Sequence, residues 1–297
     1  MAGKDLILGQ HPLLKKEFVD RRIRELVGHQ FVADQLFTHT TVDALALRYM
    51  QDADSDAQGR KAYDAVPEVG EASNFKRIGI DEEEKTAMIK KYGLETVISY
   101  EMQKFGSDGS FDRSYRKLAL NVKKMVDDMA YKVATNNYTI GGGIQGKTKS
   151  GSAGDVLWTD TTNGAEQMIS DIIDARKALK SWAYQADTVV INPEIEAIML
   201  KNKNIRDAFR ENNTDVALLK GYIGDFMQLS FIVDENFADD NVLFLQKKTI
   251  GEIADAEGLR SKVYNEDSQE RTIARVTRFT SAYLTDPKAV YLLKNVR

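Results

Sequence analysis

Residues 110–135 read SFDRSYRKLALNVKKMVDDMAYKVAT, and this stretch decides the fold. Its apolar residues recur every three or four positions, which is the spacing of one face of an α-helix. They are Phe111, Tyr115, Leu118, Val122, Met125, Val126, Met129 and Val133. A helix of about 25 residues is about 37 Å long, and Ser110 is placed to cap its N-terminus. The periodicity predicts a long strut. An ordinary core helix has the same pattern, so the flanking segments must decide between a strut and a core helix.

Composition excludes several classes of protein. The chain of 297 residues has no cysteine, which excludes disulfides, thiolate metal sites and a cysteine nucleophile. Its formal net charge of -4 argues against a broad basic surface for nucleic acid, but it leaves local basic patches open. No apolar run approaches the roughly 18 residues of a membrane span, and the first residues lack the apolar segment of a signal peptide. We therefore expect a soluble protein with no membrane partner.

Residues 1–40 have a loose apolar stripe of helical spacing after Pro12 and little else. The stripe consists of Leu14, Phe18, Ile23 and Leu26. Such a segment predicts an N-terminal arm that becomes ordered against a partner. All three histidines, His11, His29 and His39, lie here. Their spacing lacks the tight repeat of a zinc site, so we expect solvated or packed histidines and no metal.

Residues 41–100 have the pattern of an extended hairpin. From Thr41 to Met50 the residues alternate between two faces, which predicts a strand. The acidic stretch at residues 51–75, QDADSDAQGRKAYDAVPEVGEASNF, has few large apolar residues and cannot form a core of its own. A second strand-like stretch runs from Lys85 to Met102. Because an isolated two-stranded ribbon is marginal in water, this hairpin needs a surface to lie on.

The tip of the hairpin resembles a calcium-binding loop. Asp52, Asp54 and Asp56 have the spacing of the first three ligands of an EF-hand. Ala57 and Tyr63 occupy the positions where that loop needs glycine and glutamate. We therefore expect a solvated acidic loop and no calcium.

A second motif follows the strut. Gly141, Gly146, Lys147 and Thr148 fit the G-x-x-x-x-G-K-[ST] pattern of a phosphate-binding loop. Residues 231–235, FIVDE, resemble the acidic strand that positions Mg²⁺ in such enzymes. The loop requires a buried strand before it and a helix after it, whereas here a helix precedes the motif and KSGSAGDVLWTD follows without helical periodicity. The context favours a flexible glycine loop, and a nucleotide-binding protein using Gly141 to Thr148 is an alternative.

The second half of the chain predicts a small α/β unit. A helix is expected over Asn163–Tyr184, where Glu166 completes a capping box on the first residue. The buried strand Thr188–Ile191 precedes a helix that Asn192 caps and Pro193 begins. Further strands of this unit are predicted at residues 229–233 and 242–245.

The chain from residue 271 onward is rich in β-forming residues. Arg271–Leu284 predicts a strand, and Asp286 and Pro287 turn the chain into a second strand at Ala289–Leu293, which together predict a C-terminal hairpin. Three arginines of the first strand would form a basic stripe on a helix, but on a strand they do not share one face. They are Arg271, Arg275 and Arg278. The pattern is therefore a weak sign of nucleic-acid recognition.

The order of these parts is arm, hairpin, strut, glycine loop, second helix, α/β unit and β-hairpin. Four stretches mark it, namely VPEVGEASNFKRIGI at 66–80, KKYGLETVISYEM at 90–102, DTVVINPEIEAIML at 187–200 and VTRFTSAYLTDPKAVYLL at 276–293. In this order and spacing, the chain resembles the major capsid proteins of tailed bacteriophages, the Hong Kong 97 fold, over essentially its whole length.

The resemblance implies an α+β fold of the Hong Kong 97 type with a long spine helix. The implied divisions are an N-terminal arm at 1–40, an extended hairpin loop at 41–100, a peripheral domain with the spine helix and glycine-rich loop at 101–186, an axial domain at 187–253, and a return to the peripheral domain at 254–297. The extended loop would lie across the neighbouring subunit, which would supply the burial that the hairpin lacks.

The resemblance also implies a structural function. The chain would be a major capsid protein that assembles with itself into hexamers and pentamers and forms the icosahedral head shell around double-stranded phage DNA. It would bind that DNA without sequence specificity, and scaffolding, portal and decoration proteins would be further partners. Its location would be the virion, after assembly in the host cytoplasm. No enzymatic activity is implied, and we assign no catalytic, cofactor-binding or metal-binding residue. An encapsulin-like cargo shell of the same fold is the other alternative.

Some members of the family join neighbouring subunits through a lysine–asparagine isopeptide bond. Lys61 and Asn265 lie in the corresponding regions, by location alone. A solvated side chain is the expected state of Lys61.

Overall fold

The structure of the chain is a computed structural model, and it describes the strut, both strands at the base of the hairpin and the C-terminal half. The described residues are 21–22, 32–52, 68–71, 73–75, 82–105, 108–136, 138–139, 142–152, 154–160, 162–201 and 225–297. Most of the expected N-terminal arm lies outside them, as do Asp54, Asp56 and Lys61. The expectations for those residues stay predictions.

Helices and strands are mixed along the described chain. The α-helices with described bounds are α1 (Ala33–Leu36), α2 (Tyr100–Phe105), α3 (Asp108–Asn136), α4 (Gly164–Ser181) and α5 (Pro193–Lys201). The first strands are β1 (Thr38–Thr41), β2 (Ala46–Asp52), β3 (Glu82–Met88), β4 (Lys90–Ser99), β5 (Tyr138–Thr139), β6 (Gly142–Gly143) and β7 (Gln145–Thr148). The later strands are β8 (Thr188–Ile191), β9 (Asp225–Phe226), β10 (Leu229–Val233), β11 (Val242–Leu245), β12 (Gly251–Glu266), β13 (Arg271–Leu284) and β14 (Val290–Lys294).

The strands form two main sheets and two short ribbons. The four-stranded sheet has the order β1-β12-β13-β4, and the six-stranded sheet has the order β7-β14-β11-β8-β10-β9. In the six-stranded sheet β8 and β10 are parallel, whereas β11 is antiparallel to both β8 and β14. The ribbons are β2 with β3 and β5 with β6. Helices and mixed sheets in one chain confirm the α+β class.

The predicted strut is helix α3. It has 29 residues, which corresponds to about 43 Å. Its buried side chains include Tyr115, Leu118, Val122, Val126 and Ala130, and they share one core with the four-stranded sheet. Each large apolar side chain that is buried in this way stabilises the fold by about 1.5–3 kcal/mol. The strut is confirmed, but its start is not at Ser110, because the helix begins at Asp108 and the proposed N-cap is wrong.

The predicted hairpin is confirmed at its base and corrected in its second arm. β2 and β3 pair antiparallel, from Ala46↔Met88 to Asp52↔Glu82. The expected second arm, residues 85–102, is divided between the end of β3, the whole of β4 and the start of α2. β4 leaves the hairpin and pairs with β13 at the edge of the four-stranded sheet. The apolar pattern did not reveal this change of partner, because strand pairing depends on distant residues.

The predicted α/β unit is confirmed in its strands and in helix α5. The Asn192 Oδ1 atom accepts a hydrogen bond from the Glu194 N–H at 3.0 Å and so caps the helix that Pro193 begins. Helices α4 and α5 pack on the six-stranded sheet in a second core, through side chains such as Met168, Ile172, Leu179, Ile195 and Met199.

The capping box predicted for α4 is wrong, because the Asn163 side chain makes no capping hydrogen bond. The turn before the helix is held by Asp160 instead. Its Oδ1 atom accepts hydrogen bonds from the Thr162 and Asn163 N–H groups, each at 2.8 Å.

The predicted C-terminal hairpin is wrong, although its two strands exist as β13 and β14. β13 pairs with β12 and β4, whereas β14 pairs with β11 and β7 in the other sheet. The long strand β12 was not predicted, because GEIADAEGLRSKVYNE lacks a regular apolar alternation. Gly251 begins this strand so close to β13 that a Cβ atom there would lie 2.1 Å from the Tyr283 carbonyl oxygen, so only glycine fits.

The described end of the expected arm, residues 32–41, packs against the body of the chain. Val32, Leu36 and Phe37 are buried in the core of helix α3. β1 then adds to the four-stranded sheet, parallel to β12. Within the described part of the chain, no helix combines the length and apolarity needed to cross a membrane.

Candidate functional site

The hairpin β2–β3 has an inner and an outer face, because paired residues of antiparallel strands point to the same side. The inner face carries the pairs Leu47/Ala87, Tyr49/Lys85 and Gln51/Glu83. The outer face carries the pairs Ala46/Met88, Arg48/Thr86 and Met50/Glu84. The two faces meet different surroundings.

The inner face attaches the hairpin to the body of the chain. Gln51 is buried, and its Nε2 atom donates a hydrogen bond to the Leu284 carbonyl oxygen at 3.0 Å. The Tyr49 ring lies 4.4 Å from the Tyr283 ring, measured between centroids. Ala87 shares a small apolar cluster with Tyr283 and Ala254 of the four-stranded sheet. This attachment is small beside the core of helix α3.

The outer face leaves large apolar side chains in water. Met50 is 54% exposed and Met88 is 68% exposed. Phe75, in a described fragment of the tip, is 80% exposed. Exposed large apolar side chains on one face of a ribbon indicate a surface that a partner covers. We call Met50 and Met88 the outer hairpin face, and it is the candidate functional site.

The edge of the four-stranded sheet adds a second exposed surface. β4 is the last strand of this sheet in the described chain, and Leu94 and Val97 on it are exposed. An edge strand presents unpaired backbone groups that another chain can meet. An apolar cleft of about 280 Å³ lies beside it, between Leu94, Val122 and Met125.

The phosphate-loop motif has a different local structure from the one its pattern requires. Gly146, Lys147 and Thr148 lie in strand β7, and the first described helix after them begins at Gly164. The Lys147 ammonium lies 2.8 Å from the Asp155 carboxylate. Gly141 is outside the described residues. Because no helix begins directly after the motif in the described chain, the nucleotide-binding hypothesis is wrong about the structure on which it depends.

The lysine after the motif, Lys149, has a structural role. Its Nζ atom donates hydrogen bonds to Asp171 Oδ2 at 2.6 Å and to the Val156 carbonyl oxygen at 2.7 Å, and its side chain is 0% exposed. Trp158 Nε1 and Gln167 Nε2 also donate to the Asp171 carboxylate. This buried network fixes the loop after β7 to helix α4.

The acidic residue of the FIVDE strand is also structural. Asp234 Oδ2 accepts a hydrogen bond from the Tyr131 hydroxyl at 2.5 Å, and Asp234 Oδ1 accepts one from the Asn236 N–H at 3.1 Å. Burial, and the bond to Asp234, raise the pKa of Tyr131, so the phenol stays protonated and acts as the donor. Asp234 therefore joins helix α3 to the turn after β10.

One turn before Tyr131, Asp127 is a buried carboxylate with an incomplete set of partners. Its Oδ1 atom accepts a hydrogen bond from the Ala33 N–H at 3.0 Å, which holds helix α1 against α3. Its Oδ2 atom is buried without a hydrogen-bond partner among the described residues. Burial raises the pKa of Asp127 to about 6, although the bond from Ala33 opposes this shift and the nearby Asp234 adds to it.

The arginines of β13 are each bound to a carboxylate. Arg271 Nη2 lies 2.6 Å from Glu266 Oε2, and Arg275 is ion-paired with Glu95. Arg278 donates two hydrogen bonds to Asp255, at 3.0 Å and 2.7 Å. These pairs neutralise the strand, and as expected for a strand the three side chains do not form one basic stripe.

Histidine and acidic residues form no metal centre in the described part of the chain. His39 Nε2 lies 2.6 Å from Asp34 Oδ1, and this hydrogen bond raises the pKa of His39 above its ordinary value. Across the described ranges, no group of three or more His, Cys, Asp or Glu residues could hold a metal ion. His11 and His29 lie outside those ranges.

The sequence matches a family model. The model is described as "Phage capsid protein" and matches residues 82–293, from the first residue of β3 into β14. Among curated proteins, no sequence matches the chain.

Solved capsid structures are similar to this chain over most of its length. The capsid of cyanophage P-SCSP1u matches with a TM-score of 0.63 and 12% identity, covering 89% of this chain and 88% of that chain. The mature capsid of bacteriophage PhiM1 matches with a TM-score of 0.59 and 9% identity, covering 90% and 87%. A virus-like particle from Pyrococcus furiosus matches with a TM-score of 0.59 and 13% identity, covering 94% and 98%.

At such identities the structural likeness shows the fold alone, and the fold is the Hong Kong 97 type that the order of elements predicted. The family model adds a sequence relationship that includes the strut, all of β3, and both main sheets except β1 and the last residue of β14. The chain therefore belongs to the phage capsid protein family of tailed bacteriophages and is a structural protein of the icosahedral shell.

Proposed function

We propose that this chain is a major capsid protein that assembles with itself into hexamers and pentamers and so forms a head shell around double-stranded DNA. The family match and the capsid neighbours support a shell-forming protein of the virion. We further propose that it assembles in the host cytoplasm with separate scaffolding and portal proteins, and with decoration proteins where the shell has them. Its function is geometric and requires no catalytic step.

The outer hairpin face is the observation that carries this proposal. Met50 and Met88 point away from the body of the chain on a ribbon that has a small attachment. A closed shell places a neighbouring copy beside every subunit. The neighbour would cover these side chains, and burying the part that is still exposed would favour assembly by about 1–2 kcal/mol for each methionine.

The domain divisions are part of the same proposal. Helix α3 with the four-stranded sheet supports a peripheral unit, and the six-stranded sheet with α5 supports an axial unit. The chain crosses between these bodies more often than the proposed bounds of 187–253 suggest. β7 and α4 precede those bounds and β14 follows them, yet all three pack in the six-stranded body.

Electron microscopy of the purified protein tests the proposal, together with size-exclusion chromatography at several concentrations. We expect closed shells, or rings of five and six subunits. Deletion of residues 53–71 keeps the hydrogen bond from the Asp52 N–H to the Thr285 carbonyl oxygen. This variant should remain folded by circular dichroism and should no longer form stable shells. Normal shells from the deletion variant would contradict the role of the hairpin.

A cargo shell of the encapsulin type is the second candidate. The match to a virus-like particle from Pyrococcus furiosus supports it, because that structure has this fold and is not described as a phage capsid. The contents of shells purified from the natural source separate the two functions. DNA inside the shell supports a phage head, whereas a packaged enzyme supports the cargo shell.

A further inference from the structure

Helix α3 presents a row of lysines on the face opposite its core. Lys117, Lys124 and Lys132 are all exposed. With 3.6 residues per turn, they lie within about 80° of one another around the helix axis and span about 22 Å along it. We call these three residues the lysine face. Asp128 lies between Lys124 and Lys132 and is half-buried, so the row keeps a net positive charge.

The ammonium groups of the lysine face form no ion pair within the described part of the chain. None of the three ammonium groups has a carboxylate within 4.0 Å among the described residues. By contrast, Arg275 and Arg278 of β13 are ion-paired. The lysine face is therefore a positively charged patch on a chain whose net charge is -4.

The four-stranded sheet separates the lysine face from the hairpin. Ala274, Val276 and Ala282 of β13 belong to the core of helix α3. Phe279 and Tyr283, which alternate with them along the strand, belong to the cluster under the hairpin. Because successive side chains of a strand point to opposite faces, helix and hairpin lie on opposite sides of this sheet. The side that carries the lysines is therefore not the side from which the hairpin projects.

We propose that the lysine face is the surface against which double-stranded DNA lies inside the shell. This inference rests on the proposed function, in which the shell encloses DNA. Duplex DNA carries one negative charge per about 1.7 Å of its axis, so phosphates are available along the whole row without any specific sequence. Lysine suits this role, because its ammonium is a point charge on a long flexible stem.

An acidic segment of a second copy is the competing partner, and the two hairpin carboxylates Glu83 and Glu84 do not suit this role. Glu83 and Glu84 of the hairpin are already ion-paired within their own ribbon, with Lys85 at 3.3 Å and Arg48 at 3.1 Å. Their position on the hairpin also places them across the sheet from the lysine face of the same subunit. DNA needs neither a freed carboxylate nor a particular neighbour.

The test compares two triple variants of the unassembled protein by fluorescence anisotropy with a fluorescein-labelled DNA duplex. Lys117→Gln, Lys124→Gln and Lys132→Gln remove the lysine face. Lys90→Gln, Lys177→Gln and Lys180→Gln remove three other exposed lysines as a matched control. Each phosphate contact contributes about 0.9 to the slope of log affinity against log salt. We expect the first variant to lose at least about tenfold in affinity at low salt, with a slope lower by about 2–3, and the control to bind like the natural protein.

Three further measurements show whether a loss of DNA binding comes from the lost charge of the lysine face. Replacing the same three lysines by arginine should restore DNA binding, because the charge returns. The proposal places the lysine face inside the shell, so closed shells should not bind added duplex. Zero-length carbodiimide cross-linking of shells should give no bond between a lysine of this face and a carboxylate of another copy. Such a bond, or DNA binding that survives in the glutamine variant, would overturn the inference.

Electron microscopy of the same variants separates this inference from the proposed function. If the glutamine variant forms closed shells and its unassembled form binds DNA as tightly as the natural protein, only the inference about the lysine face is overturned. The absence of shells from the natural protein and from both variants would overturn the proposed function, while the anisotropy result would still decide whether this face binds DNA.

Discussion

Helix α3 and the hairpin β2–β3 both carry apolar side chains at regular spacing, but they differ in where those side chains are buried. Leu118 and Val126 of the helix are buried within their own chain, whereas Met50 and Met88 of the hairpin are exposed. The helix is stabilised by packing within its own subunit. The inner face of the hairpin packs on its own chain, whereas the outer face is exposed. The difference teaches that folding and assembly use separate apolar surfaces of this chain, and the predictions below test that separation.

The largest effect on folding is expected in the core of the strut. Leu118→Ala should lower the free energy of unfolding by about 2–5 kcal/mol, because it removes buried methyl groups and leaves a cavity. Leu120→Ala is the matched control, since Leu120 is exposed on the same helix. Urea denaturation of the unassembled protein measures both. Equal losses in the two variants would contradict the assignment of the buried face.

A smaller, pH-dependent effect is expected at the junction of α1 and α3. The folded pKa of Asp127 is raised to about 6, so its ionisation opposes folding. Stability from this group is greatest below the ordinary pKa and falls as the pH rises through about 6. Asp127→Asn should therefore stabilise the protein by about 1–2 kcal/mol at pH 8 and lose this advantage near pH 4.

Urea denaturation at several pH values measures the effect of Asp127→Asn. Asp128→Asn is its control, because Asp128 is the adjacent carboxylate and is only half-buried. A gain in stability that does not depend on pH would show that the benefit of the substitution comes from packing and not from charge.

The outer hairpin face should show the reverse of the core. Met50→Ser combined with Met88→Ser should change the free energy of unfolding by less than about 0.5 kcal/mol, because both side chains are already exposed. The same variant should form fewer shells at a given protein concentration, which electron microscopy and light scattering detect. Thr86→Ser, on the same face, should assemble normally. Full assembly of the double methionine variant would break the separation of surfaces.

The smallest effect is expected at the phosphate-loop motif. Lys147→Ala removes one half-exposed ion pair with Asp155, which contributes about 0–1 kcal/mol. The variant should fold and assemble like the natural protein, and calorimetry with ATP should give the same absence of heat for both. Nucleotide binding that disappears with Lys147 would restore the rejected hypothesis.

The sequence predicted those parts whose signal is local. The strut, the strand Thr188–Ile191 and the cap of Asn192 on its helix follow from periodicity and neighbouring residues, and the structure has them. The candidate site was predicted only as a region. Its exposed methionines could not be named, because the face on which Met50 lies is set by the register with Glu84 across the hairpin.

The parts that the sequence did not predict depend on distant partners. Lys90–Ser99 has the composition of a second hairpin arm, but it pairs with β13, which lies far along the chain. β12 was missed because its side chains alternate irregularly between buried and exposed positions. From the sequence, the lysine face could be identified only as the solvent-exposed side of a helix. Its meaning depends on the ion pairs that other basic residues make and on the sheet that separates it from the hairpin.

The position of β14 has a consequence for the timing of synthesis. This strand follows all the other described strands in the chain, yet it lies inside the six-stranded sheet, between β7 and β11. β7 therefore cannot join that sheet until residues 290–294 have left the ribosome. A nascent chain has already displayed its hairpin by then, but its second core is still open. The order of translation thus leaves completion of the second core to residues 290–294.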